Sequence, residues 1–75
     1  MKKVIIYSRE NCGACKAAKM FMSAQKISFT EVDIDESQET VEYLNKHNVN
    51  SLPFIEIGEV KLHGFNPGKI LAAVK

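Results

Sequence analysis

Four consecutive apolar residues near the start, Val4-Ile5-Ile6-Tyr7, give way at once to polar Ser8-Arg9-Glu10-Asn11. A run that short, rich in β-branched side chains and without alternation, reads as a strand buried on both faces. Both faces must then be covered by other elements, and a chain of 75 residues has few to spare. A domain of that size buries only about 60 % of the surface its unfolded form exposes, so its core must be compact. One domain over residues 1–75 is expected, since no repeat, linker or low-complexity stretch divides the chain.

The rest of the chain supplies that cover. From Ala14 to about Gln25 the residues are good helix formers, and Cys15, Ala18 and Met22, with Ala14 and Phe21 beside them, make one apolar stripe. Ile27 to Ile34 sets Phe29, Val32 and Ile34 among polar residues in a strand-like stretch, closed by Asp35-Glu36-Ser37, which offers helix-capping side chains. A second helix is expected from about Gln38 to His47, with Val41 and Leu44 on its buried side and Asn48 as a left-handed terminator. Phe54 to Ile57 and Val60 to His63 are short strand patterns joined by Gly58-Glu59, whose leading glycine suits a two-residue type II′ turn. Asn66-Pro67 then offers a cap followed by proline at the first helical position, and Ile70, Leu71 and Val74 give the last helix its stripe. The order βαβαββα joins a parallel crossover to an antiparallel hairpin, an α/β fold whose four-stranded mixed sheet is flanked by helices.

Composition narrows the class. A 25 % share of charged residues and a formal net charge of +1 describe an ordinary globular protein and give no reason to expect nucleic acid as a partner. The apolar run after Met1-Lys2-Lys3 is too short for a signal peptide or a membrane span, so a cytoplasmic protein is expected.

Cys12-Gly13-Ala14-Cys15 stands where the first strand gives way to the first helix. Spacing of three brings two side chains together over one helical turn, so the sulfurs can close a disulfide. A bond that closes so small a loop adds little stability, and two cysteines are too few for a secreted scaffold. Chemistry explains the pair better than stapling. A cysteine at a helix N-terminus faces unpaired backbone N–H groups and the positive end of the helix dipole, and both favour its thiolate. Cys12 is thus the expected nucleophile. Cys15, one turn further in, is placed to attack a mixed disulfide formed at Cys12. Arg9, with Lys16 and Lys19 beyond it, adds positive charge nearby. Cysteines can also serve as small buried hydrophobes or as half of a zinc site. Zinc wants about four ligands, however, and His47 and His63 fall in different elements, so no metal is expected.

Ser51-Leu52-Pro53-Phe54 is the second informative motif. Proline opening a strand cannot donate to the ladder, and a bond before proline is where a cis peptide is cheap; the isomer itself is left open.

In order and spacing, the stretches Tyr7 to Cys15, Val32 to Asp35, Ser51 to Ile55 and His63 to Pro67 resemble the glutaredoxins of the thioredoxin-like superfamily. The resemblance runs over essentially the whole chain. It implies the thioredoxin-like fold and a dithiol-disulfide oxidoreductase acting through Cys12 and Cys15. It also implies that Pro53 is a cis-proline facing the active-site disulfide, with the backbone of Leu52 pairing with a bound thiol substrate. In typical glutaredoxins a Gly-Gly-x-Asp-Asp stretch holds the γ-glutamyl end of glutathione, whereas here His63, Asn66 and Pro67 replace those letters. Gly64-Phe65-x-Pro67 is more similar to the glutaredoxin-like redoxins that serve ribonucleotide reductase, which carry Ser-Gly-Phe-x-Pro; His63 departs from that serine. Arg9, Leu52, Pro53, Gly64 and Phe65 are accordingly expected at the substrate site.

The implied function is electron donation to protein or low-molecular-weight disulfides by a monomer with no tightly bound cofactor. Ribonucleotide reductase is an implied protein substrate, and either thioredoxin reductase or glutathione the implied reductant. The alternative is an iron–sulfur-cluster-binding module in which two such chains bridge one cluster.

Overall fold

The computed structural model describes residues 2–75. Its elements are β1 (Val4–Ser8), α1 (Gly13–Ala24), β2 (Thr30–Asp33), α2 (Gln38–Lys46), β3 (Phe54–Ile57), β4 (Val60–His63) and α3 (Pro67–Val74), with a 3₁₀ turn over Ile34–Glu36 ahead of α2. The sheet runs β2-β1-β3-β4, so the apolar run of β1 lies inside it. β1 pairs parallel with β2 and antiparallel with β3, and β3 pairs antiparallel with β4. This is the expected thioredoxin-like architecture.

Alternation along the inner strands sends side chains to two unequal cores. Val4 and Ile6 of β1, with Ile55 and Ile57 of β3, meet Ala18 and Met22 of α1 and Ile70 and Ala73 of α3. On the other face Phe54 meets Ile34 and Leu44, with Tyr7, Tyr43, Val49 and Leu52 packed around them. α2, with the 3₁₀ turn before it and the segment after it, covers that second, smaller core.

Local signals set the boundaries. Ser37 caps α2 by accepting from the Thr40 N–H at 3.4 Å, and Asn66 caps α3 by accepting from the Lys69 N–H at 3.1 Å. Positive φ falls on Gly58 alone in the β3–β4 turn, as a type II′ turn requires. Asn48 is left-handed, with φ 57°, and the N–H of Val49 reaches back to the Leu44 carbonyl at 3.0 Å. α1 ends the same way: Lys26 has φ 60° and the Ile27 N–H bonds the Met22 carbonyl at 2.9 Å.

That second termination corrects the strand expected from Ile27. It commits Ile27 to closing α1, so β2 begins only at Thr30, and Ile34 enters the 3₁₀ turn. Ala14, expected beside the apolar stripe of α1, is exposed, because the Cys15-Ala18-Met22 line is the one that turns to the sheet. In α3 the buried positions are Ile70 and Ala73, with Leu71 and Val74 half-buried at the margins. Among the described residues, no helix is long and apolar enough to cross a membrane.

Ile55 is fully buried in the larger core. Ile55→Ala should therefore lower the unfolding free energy by about 2–5 kcal/mol in denaturant titration. A loss below about 1 kcal/mol would mean that the core recloses around the gap.

Candidate active site

The chain leaves β1 at Ser8, turns through Arg9-Glu10-Asn11 and enters α1 at Gly13. Asn11 makes that turn with φ 61°, a left-handed conformation that asparagine tolerates. Cys12 then stands at the N-cap with extended backbone, and its Sγ accepts a hydrogen bond from the Cys15 N–H at 3.2 Å. The sulfur occupies the place that a serine or aspartate oxygen takes at other helix starts. A thiolate accepts better than a thiol, so the cap and the helix dipole both favour ionised Cys12 once the pair is reduced. No acidic residue stands in the first turn to oppose them.

Cys12 and Cys15 are joined in a disulfide, with their Cα atoms 5.2 Å apart. Their exposure differs: Cys12 is half-buried, whereas Cys15 is 1 % exposed. Attack from solvent therefore meets Cys12 first, and Cys15 is reached through it.

Two ion pairs answer Arg9 and Lys19, while Lys16 has no ion pair among the described residues. Arg9 grips Asp35 through Nε and Nη2, with contacts of 3.1–3.2 Å. Lys19 donates to Glu31 at 2.6 Å, and the same carboxylate oxygen accepts from the buried Ser8 hydroxyl at 2.8 Å. Lys19 first and Ser8 second hold the Glu31 carboxyl below its ordinary value, against the opposing effect of burial.

The Leu52-Pro53 peptide is cis. Pro53 is buried, Leu52 half-buried, and the Pro53 carbonyl accepts from the Gly64 N–H at 2.9 Å. Gly64 makes that return with φ 82°, where other residues are strained. An open groove of about 490 Å³ brings Arg9, Cys12 and Leu52 together against Val41 and Leu44 of α2 and against Val49. A second groove runs from Arg9 past Cys12 and Gly13 to Lys16 and Lys19. Pro53 and Gly64 line neither groove and lie next to Leu52 in the fold. Phe65 stands apart from both, packed edge-on against Phe21 at 5.8 Å beside the larger core.

Val49 and a polar cluster beneath α2 were not legible as site residues. Val49 enters the groove because Asn48 turns the chain back there. In the cluster, Tyr7 donates to Glu56 Oε1 at 2.8 Å, Tyr43 donates to Oε2, and Lys61 Nζ lies 3.7 Å from Oε2. Burial works to raise the Glu56 pKa, but the hydrogen bonds from Tyr43 and Tyr7, with the Lys61 charge, together outweigh it and hold the carboxyl below its ordinary value. The Tyr7 phenol is pushed up by burial first and Glu56 second, and the Tyr43 phenol by Glu56 first. The one signal in the sequence was a glutamate amid the apolar residues of β3.

The Glutaredoxin family model matches residues 4–61. The chain belongs to the glutaredoxin family. It is a thiol-disulfide oxidoreductase, as the members of that family are. It is 34 % identical over 67 residues to the glutaredoxin-like protein NrdH of Lactococcus lactis subsp. cremoris, covering 89 % of this chain and 93 % of that protein. The structure of the Escherichia coli glutaredoxin-like protein NrdH-redoxin, described there as having a thioredoxin-like activity profile, superposes with a TM-score of 0.90 at 28 % identity, covering 93 % of this chain and 92 % of that one. The Brucella melitensis glutaredoxin gives a TM-score of 0.74 at 32 % identity, covering 96 % of this glutaredoxin and 79 % of that one. The iron–sulfur-bridged dimer finds no support in these comparisons or in the geometry. Among the described residues, no group of three or more His, Cys, Asp or Glu side chains is placed to hold a metal; His47 packs on Tyr43 and His63 on Phe54.

Glu31 and Glu56 both titrate below the ordinary 4.5 in the folded protein. As pH falls, the unfolded chain binds their protons first, so their contribution is intact above that value and is lost on passing through the folded values. Unfolding free energy should hold from neutrality to about pH 5 and decline below it, and the double variant Glu31→Gln, Glu56→Gln should decline less steeply. An unchanged slope in the double variant would count against both assignments.

Proposed function

We propose that this glutaredoxin is a one-domain cytoplasmic electron donor to protein disulfides, returned to its dithiol state by thioredoxin reductase rather than by glutathione. The observation that carries the reading is the character of the groove beside Cys12. Its walls include Val41, Leu44, Val49 and Leu52, and among the described residues the one cation lining it, Arg9, is already answered by Asp35. Glutathione brings two carboxylates that such a groove does not meet with free charge, whereas a protein segment bearing apolar residues beside its disulfide fits it. Asn66, at the place where typical glutaredoxins use an acidic residue for glutathione, spends its side-chain oxygen capping α3. Likeness to the NrdH-redoxin with a thioredoxin-like activity profile supports the same choice of reductant, and the NrdH-type relatives make ribonucleotide reductase the protein substrate to test.

In this mechanism the Cys12 thiolate attacks one sulfur of the substrate disulfide. That S–S bond breaks, the second substrate sulfur leaves and takes up a proton, and a mixed disulfide remains at Cys12. Cys15 gives up its proton and attacks the Cys12 sulfur, releasing the first substrate thiol and closing the Cys12–Cys15 disulfide. Two electrons have passed to the substrate. Thioredoxin reductase returns two electrons from NADPH. Leu52 presents its backbone to the substrate, Pro53 and Gly64 hold that segment, Arg9 borders it, and Phe65 acts through packing.

NADPH consumption with insulin as substrate distinguishes the reductants. Turnover with thioredoxin reductase alone is expected, and turnover confined to glutathione plus glutathione reductase would overturn the choice. Cys12→Ser should abolish reduction, while Cys15→Ser should accumulate a mixed disulfide visible by mass spectrometry. Activity surviving in Cys12→Ser would refute the assignment of the nucleophile.

A further inference from the structure

A carboxylate on a strand face that a helix covers loses hydration, and a leucine there would avoid that cost. Glu56 nevertheless occupies such a place, with its side chain 13 % exposed. What it gains is a set of partners from three other elements: Tyr7 from β1, Tyr43 from α2 and Lys61 from β4. Among the described residues, the bond from Tyr43 to Glu56 is the one side-chain hydrogen bond that ties α2 to the sheet. The apolar seat of α2 is thin. Leu44 is its one buried residue, whereas α1 buries Cys15, Ala18 and Met22.

Tyr43 stands within a turn of the groove-lining residues of α2, Val41, Leu44 and Asn45. We propose that Glu56 is a positioning residue for the reduction of protein disulfides: by fastening α2 to the sheet through Tyr43 it sets the wall of the groove beside Cys12. This rests on the reading that the groove receives the substrate protein. Cys12 and Cys15 themselves sit on α1, which is held by the opposite core, so releasing the latch alters the groove and leaves the reactive pair in place. A small disulfide needs the Cys12 sulfur alone. A protein disulfide also needs the groove.

The test is stopped-flow oxidation of the full chain, pre-reduced, by insulin and separately by hydroxyethyl disulfide, so that no reductase enters the measurement. Tyr43→Phe keeps the ring and removes only the hydroxyl, and Glu56→Gln keeps the size and removes the charge. Each should slow the reaction with insulin by about fivefold, the effect of one lost hydrogen bond, and leave that with hydroxyethyl disulfide within about twofold. The double variant should be little worse than either single one, since both break the same link. Amide hydrogen exchange should quicken in α2 and stay unchanged in α1. An equal fall with both disulfides, or no fall with insulin, overturns the proposal. If the unmodified protein is oxidised by hydroxyethyl disulfide and not by insulin, the reading of the groove as a protein site fails before any variant is considered.

Discussion

The hydrogen bond from the Cys15 N–H to the Cys12 sulfur is the hinge between the fold and its chemistry. A helix start leaves backbone donors without intrahelical partners, and in this chain one of them is satisfied by the reactive atom itself. That arrangement requires β1 to end one short turn before α1, which requires Asn11 to turn left-handed, which places Cys12 beyond the C-terminal end of the inner strand β1 with Cys15 buried one turn further on. The difference in exposure between the two sulfurs is thus a consequence of helix geometry.

Side-chain charge contributes little to this. The Arg9–Asp35 pair is about half exposed at both ends and the Lys19–Glu31 pair about a third to under a half. Pairs of that exposure are worth about 0–1 kcal/mol to the fold. Their larger effect is to answer Arg9 and Lys19, so that the oriented N–H groups and the dipole of α1 act on the sulfur with Lys16, which lines the second groove beside it, as the remaining nearby charge. A field built from backbone does not depend on rotamers.

Short-range signals made most of the fold legible. The unalternating run from Val4 to Tyr7 marked an inner strand, Gly58 a type II′ turn, Asn48 a helix end and Asn66-Pro67 a helix start, because each rests on the conformation of one or two residues. Lys26 carried no such mark. Lysine has no preference for positive φ, so the early closure of α1 that shortens β2 was hidden. At the site, the spacing of Cys12 and Cys15 and the proline at Pro53 were readable for the same local reason. The bond of Arg9 to Asp35, 26 residues away, and that of Tyr7 to Glu56, 49 residues away, depend on pairing across the sheet and were not.

The two faces of the sheet divide the work. Eight buried residues knit β1 and β3 to α1 and α3, and that face fixes the helix that carries the cysteines. Among the described residues the buried cluster on the other face is Ile34, Leu44 and Phe54, and Leu44 is also a wall of the groove beside Cys12. A core that doubles as the wall of an open groove cannot be sealed as tightly as one that is closed, because every side chain turned to solvent is withdrawn from packing. Polar fastening compensates on that face: the Tyr43 phenol binds α2 to Glu56 by a directional bond where apolar area is short, and the Tyr7 phenol holds the same carboxylate from β1. The cysteine pair is thereby built on the more heavily packed side of the sheet and the groove wall of α2 on the lighter side, with the inner strands β1 and β3 between them.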